Sequence, residues 1–191
     1  MTINKTKKGR KISLMSKSLK EIQIAQELSD IYRDHLDAET LRGRILDVSS
    51  EIIHLEKFSD EGEYDGRSFI QLADVTRVRS KGRELELVKN LSANTSRKRY
   101  TGDIAAENLW DAIELVQQNL GYVVLFIEDI DPDICIIGEL VEHDENHVRL
   151  NEFGTLKTQD RRELVVEKSA ITRVDYDGGY EVTISNIGGS I

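Results

Sequence analysis

The stretch "SAITRVDYDGGYEVTI", residues 169–184, decides the fold, because it restates an earlier one, "LADVTRVRSKGRELELV", residues 72–88. Each has an aliphatic residue, then Thr-Arg-Val, a glycine-bearing turn and a second alternating run. Outward from these phrases, residues 42–88 align with 137–184. Gly43 matches Gly138 at an offset of 95, as Ile53, Leu55 and Phe58 match Val148, Leu150 and Phe153. After a one-residue insertion, Val75-Thr76-Arg77-Val78 matches Ile171-Thr172-Arg173-Val174, and one further step aligns Leu85 and Leu87 with Val182 and Ile184. Ordered matches of glycine, phenylalanine and Thr-Arg-Val point to an internal duplication rather than to chance aliphatic patterning.

Each copy reads as short strands. "RGRILDV" and "IIHLEKF" alternate at period two around Ser49-Ser50-Glu51, as do "GELVEH" and "HVRLNEF" around "DEN". "SFIQL" and "ELVVE" follow a polar loop, then "VTRV" and "ITRV", then a glycine turn into "ELELV" or "YEVTI". Five short antiparallel strands per copy suit a small closed or nearly closed barrel, which hides its edges. The expected class is α+β, mainly β, with two tandem helix-plus-five-stranded barrel units.

A helix is expected before each copy. "SLKEIQIAQELSDIYRDHLD", residues 18–37, has Ser18 and Glu21 at capping-box spacing and an apolar face. "DIAAENLWDAIELVQQNLG", residues 103–121, has Asp103 as its N-cap and Gly121 as its C-cap. "YVVLFIED", residues 122–129, is an extra apolar strand of the second half, expected to pair across the halves or to extend the second sheet. The organisation expected is a basic arm over 1–16, a first helix and barrel over 17–90, a polar linker over 91–102, and a second helix and barrel over 103–191.

The chain has 191 residues, of which 39% are hydrophobic and 32% charged, a globular composition. No apolar run approaches the roughly 20 residues of a membrane span. The N-terminus is basic without an apolar segment, so no secretory signal is expected. Cys135, the only cysteine, lies in "DICIIGEL" and reads as a buried, inert thiol. Together these point to a cytoplasmic protein with no membrane contact. The net charge of -9 divides unevenly: residues 1–20 hold seven lysines and arginines and no acid, leaving -16 on the remainder. The basic segment is a solvated tail or an arm that touches nucleic acid or an acidic partner. The acidic body repels phosphate and disfavours a nucleic-acid role for the globular part.

A helix followed by a five-stranded barrel resembles the Sm-like family within the small SH3-like barrels. "GELVEHDENHVRL" is similar to that family's first motif through Gly138, Asp144, Val148 and Leu150, and "LVVEKSAITRV" to its second through Val165, Val166 and Ile171. The resemblance covers 17–88 and 103–184. It implies the barrel and association through edge strands, within one chain or between chains. It does not carry over the family's RNA pocket. Val148 stands where the first motif has its asparagine, with Asn146 out of register, and Glu167-Lys168 and Gln71-Leu72 replace the Arg-Gly step of the second.

Several constellations carry possible chemistry. His143 and His147 stand four apart beside Asp144 and Glu145, a metal-like spacing on a helix but a solvated turn in a hairpin. Glu128, Asp129, Asp131 and Asp133 could hold calcium or magnesium, or form a polar turn around Pro132, the only proline. Arg97, Lys98 and Arg99 beside Tyr100 could meet a nucleic-acid strand, or lie in a solvated linker. Arg77 and Arg173 recur at equivalent places, either pairing with an acid across a strand or marking two ligand contacts. No nucleophile elbow, P-loop, zinc-protease helix or dinucleotide fingerprint is present.

These observations favour a non-enzymatic binding or adaptor protein, regulatory or inhibitor-like, whose acidic surface engages a basic protein partner, with no metal or cofactor. A nucleic-acid or nucleotide binder using the basic arm and linker is the other class. A hydrolase built on carboxylates 128–133 is a remote third.

Overall fold

The computed structural model describes residues 13–37, 39–93, 100–155 and 161–188. Helix α1 (Leu14–Ala25) leads into β1 (Leu28–Tyr32), β2 (Leu41–Val48), β3 (Ile52–Phe58) and β4 (Tyr64–Gln71). A 3-10 turn, Leu72–Asp74, precedes β5 (Arg77–Ser80) and α2 (Arg83–Ser92). The second half repeats the order: α3 (Leu109–Leu120), β6 (Val123–Phe126), β7 (Cys135–His143), β8 (His147–Glu152), β9 (Arg162–Glu167), a 3-10 turn at Lys168–Ala170, β10 (Arg173–Tyr176) and α4 (Gly179–Gly188).

Among the described residues the architecture is α+β, mainly β: four helices on one antiparallel ten-stranded sheet of order β5-β1-β2-β3-β4-β10-β6-β7-β8-β9. The sheet is open, ending at β5 and β9, where two closed or nearly closed barrels were expected. Strand β10 pairs with β4 on one side and β6 on the other, so a strand of the second half joins the two.

The duplication extends to backbone detail. Gly43 pairs with Lys57, and Gly138 with Glu152. A bulge interrupts β2–β3 between Ile45 and Asp47, and β7–β8 between Leu140 and Glu142, again 95 residues on. The two glycines are required by close approach: a Cβ would lie 2.3 Å from the Glu56 carbonyl oxygen at Gly43, and 2.6 Å from that of Asn151 at Gly138. Each half also leaves the sheet through a residue with positive φ, Lys81 and Asp177, before its last helix.

Four expectations about elements are corrected. The leading helix spans Leu14–Ala25 rather than 18–37; its N-cap is Ser13, whose hydroxyl accepts from the Ser16 amide at 3.1 Å. It ends at Gln26 in the left-handed conformation, and Leu28–Tyr32 becomes a strand because Leu28 and Ile31 are buried and β2 and β5 flank it. Helix α1 therefore begins inside the segment assigned to the arm. The second helix starts at Leu109 under Asn108, not Asp103; Gly121 closes it as expected, donating to the Gln117 carbonyl. "ELELV" and "YEVTI" are helical. Leu85 and Val88, three apart, bury one face of α2, with Glu84 and Glu86 in its first turn and Lys89 in its last. Ile184 of α4 packs with Tyr122, Val124, Ile137 and Phe153.

Strand β6, read as an extra strand, is the counterpart of β1, and it pairs within its own half with β7 and β10. The main core runs through the junction: Ile52 and Phe69 of the first half pack with Ile113, Val116, Val174 and Tyr176 of the second. A second cluster, including Leu19, Ile45, Leu55 and Ile70, fills the first half under α1. No helix among the described residues is long and apolar enough to cross a membrane.

Candidate functional site

The Thr-Arg phrase builds the same device twice. Thr76 donates its amide to the Tyr32 carbonyl at 2.9 Å, and its hydroxyl meets Asp34. Arg77 forks onto Asp34, with Nη2 to Oδ1 at 2.7 Å, and lies 3.7 Å over the Tyr32 ring. In the second half Thr172 donates to the Phe126 carbonyl at 3.0 Å, and its hydroxyl to Glu128 Oε2 at 2.7 Å. Arg173 lies 3.6 Å over the Phe126 ring, with Nη1 3.2 Å from Glu128 Oε1. Geometrically, both arginines pair with an acid across a strand.

The second copy differs by burial. Glu128 is fully covered and takes a second cation, Arg33 of the first half, through both guanidinium Nη atoms. Burial raises the Glu128 carboxyl, but the Arg33 hydrogen bond and the charges of Arg173 and Arg33 prevail and hold it below the usual carboxylate range. Beside it, Asp175 accepts from Lys57 Nζ at 2.6 Å and Ser68 Oγ at 2.5 Å. Burial raises Asp175, and the charges of Arg173 and Lys57 outweigh that and lower it. Thus β10 is fastened to the first half by ions as well as by its ladder.

A groove opens along this seam. One cavity of about 720 Å³ is lined by Glu39, Arg42, Lys57, Asp60, Glu61, Asp65, Arg79, Glu84 and Arg173 among others. A second of about 570 Å³ is lined by Asp37, Glu39, Phe126, Pro132, Asp133, Cys135 and Arg173. The two share Glu39 and Arg173. The cations of the groove are already engaged. Arg42 reaches Asp30 at 2.8 Å, Asp60 at 2.6 Å and Glu84 at 2.7 Å. Arg79 contacts Asp30 and Glu84, and Lys57 contacts Asp175. The rim carboxylates Asp37, Glu39, Glu61 and Asp133 make no ion pair among the described residues. The groove is therefore negative, its cations paired with the buried Asp30 and Asp175 and with the lining acids Asp60 and Glu84.

The other candidates are placed as follows. His143 ends β7 and His147 begins β8, on either side of the turn. Asp144 caps that turn, accepting from the Asn146 and His147 amides at 2.7 Å, and these bonds lower its pKa. The His143 ring lies 4.5 Å from Trp110, and Lys168 Nζ lies 3.7 Å over Trp110. Of the acidic run, Glu128 is buried in the ion network, while Asp131 caps the turn by accepting from the Asp133 amide. Among the described residues no group of three or more histidines, cysteines or carboxylates is arranged to hold a metal ion.

Tyr100 packs edge-on to Tyr176, and its amide donates to Asp177; Arg97, Lys98 and Arg99 lie outside the described residues, as does most of the basic arm. Cys135 is exposed where a buried thiol was expected, because it opens β7 at the groove. Partial burial of the thiol, then the Glu181 and Asp175 charges, push its pKa up, so it is a weak nucleophile. Sequence reasoning missed Arg33, Glu39, Lys57 and Asp175. Asp175 alone carried a signal, an acid inside the repeated Thr-Arg-Val-x strand.

Comparison of the chain with protein-family models, with curated proteins and with solved structures finds no match in any of the three.

Proposed function

We propose that this protein is a non-enzymatic binding module, whose negative groove between the halves receives a lysine- or arginine-bearing segment of a protein partner. The observation that carries this reading is the pairing pattern: the groove cations are bound to carboxylates of this chain, while among the described residues Asp37, Glu39, Glu61 and Asp133 line the groove without a cation. A cationic segment gains from that field both in encounter rate and in discrimination against acidic partners. On the same reading each half derives from one Sm-like, SH3-like barrel unit copied in tandem, and the chain works in the cytoplasm by stoichiometric occlusion or tethering, without turnover.

The test is titration with a lysine- and arginine-rich peptide over a range of salt, with a short single-stranded RNA as the comparison ligand. The peptide binds the protein, weakens with salt, and loses roughly tenfold in affinity, about 1.4 kcal/mol, when Glu39→Gln, Glu61→Gln and Asp133→Asn are combined. Absence of peptide binding at low salt overturns the reading. RNA binding that salt abolishes, with no peptide binding, would favour the nucleic-acid class instead.

A further inference from the structure

We infer that the partner segment carries an acidic residue between its cations, and that Arg173 receives it. This rests on the reading above, in which the groove takes a lysine- or arginine-bearing segment, and it adds what the middle of that segment must be.

Arg173 differs from the other cations that line the two cavities. Arg42, Lys57 and Arg79 each donate hydrogen bonds to carboxylates. The Arg173 side chain is 6% exposed, and its Nε and Nη1 have no hydrogen-bond partner. The two acids beside it are taken by other donors. Glu128 Oε1 accepts from Arg33 Nη2 at 2.8 Å, and Oε2 from Thr172 Oγ1 at 2.7 Å. Asp175 Oδ1 accepts from Ser68 Oγ at 2.5 Å, and Oδ2 from Lys57 Nζ at 2.6 Å. Arg173 Nη1 stands 3.2 Å from Glu128 Oε1 and its Nε 3.4 Å from Asp175 Oδ1, and neither contact is a hydrogen bond. Charge and the face of Phe126 hold this guanidinium in place, so its fork has donors left for a further carboxylate.

Its position says how that carboxylate arrives. Arg173 and Glu39 are common to both cavities, so Arg173 lies where the two meet. One cavity adds Glu61 and the other Asp37 and Asp133, none of them in an ion pair among the described residues. A segment laid along the groove therefore meets negative, positive and negative charge in turn. The order cation, acid, cation matches it. An unbroken run of lysines sets one of them against Arg173, and like charges repel there. A free small anion is repelled by the surrounding acids, so the acid comes on a chain whose neighbouring residues are cationic.

The experiment compares two peptides on the full chain at low salt: a lysine-rich one with a single central glutamate, and the same peptide with glutamine in its place. The net negative charge of the groove by itself favours the glutamine peptide, which is the more positive. The inference reverses that order. The glutamate peptide should bind roughly tenfold more tightly, and Arg173→Gln should erase its advantage. Because Arg173→Gln also removes a buried charge, occupancy is read separately in the unaltered chain through Cys135, the sole cysteine, which lines a cavity with Arg173. The glutamate peptide at saturation should slow alkylation of Cys135 by iodoacetamide. Equal or tighter binding of the glutamine peptide overturns the inference and leaves the groove reading standing. So does Cys135 alkylation that the bound glutamate peptide leaves unchanged, or an advantage of glutamate that persists in folded Arg173→Gln. Binding of neither peptide overturns the groove reading, and this inference with it.

Discussion

Arg33 and Glu128, 95 residues apart, form a two-pronged ion pair in which neither side chain has any solvent exposure. It spans the two halves beside the one strand pair that joins them. Glu128 is also the acid onto which Thr172 and Arg173 fold. The pair therefore locks a contact within the second half to a residue of the first.

Removing one partner should be costly. Arg33→Ala leaves Glu128 buried beside Arg173 with half its cationic support, and should destabilise the fold by about 3–5 kcal/mol. Denaturant unfolding measures the loss. Amide exchange should show faster opening along β4 and β10 than along β2 and β3.

The duplicated arginines should behave unequally. Arg173 is buried over Phe126, so Arg173→Ala should lower stability by several kcal/mol, on the order of 3–5. Arg77 makes the better hydrogen bonds to Asp34 but does so in solvent, so Arg77→Ala should leave the melting temperature nearly unchanged. Parallel thermal melts of the two variants decide this.

Acid should destabilise the protein from near pH 6.5 downward. Burial first, and the Arg67 charge second, hold the His54 ring neutral, its pKa down to about 3. The unfolded chain takes that proton near pH 6.5 and the folded chain does not. The contribution is thus complete above 6.5 and is lost as pH falls, by at most about 1.4 kcal/mol per unit. Glu128 and Asp175, with lowered folded pKa values, add a loss of the same sign as pH drops through the carboxylate range. His54→Phe should flatten the upper part of the slope, between about pH 5 and 6.5, in chemical denaturation measured across pH.

The paired glycines give a matched test. Gly43→Ala drives a methyl to 2.3 Å from the Glu56 carbonyl oxygen, and Gly138→Ala to 2.6 Å from that of Asn151. Both should cost about 1–3 kcal/mol through backbone displacement, with Gly43 the more sensitive. Equal tolerance at both sites would show that the strands can part there without penalty.

Much of this molecule was legible in its sequence. The repeated Thr-Arg-Val phrase, the glycines at 43 and 138 and the period-two runs of β2, β3, β7 and β8 are local patterns, and the structure carries them into matched registers and matched bulges. Period alone misread "ELELV" and "YEVTI", because in five residues the apolar positions also fit a helix, Leu85 and Val88 three apart and Tyr180 and Ile184 four apart, and burial against the sheet chose the helix. "ELSDIY" was absorbed into the preceding helix for the same reason: its strand identity comes from β2 and β5, which flank it from distant parts of the chain. The candidate site was the least legible part. Arg33 with Glu128, and Lys57 with Asp175, are brought together only when β10, paired with β6 of its own half, also pairs with β4. The sequence by itself determined the duplication and the positions of most strands, since both follow from side-chain spacing. Only the tertiary structure decided the seam, its buried ions and the negative groove above it, because charges so far apart in the chain have no partner until the sheet gives them one.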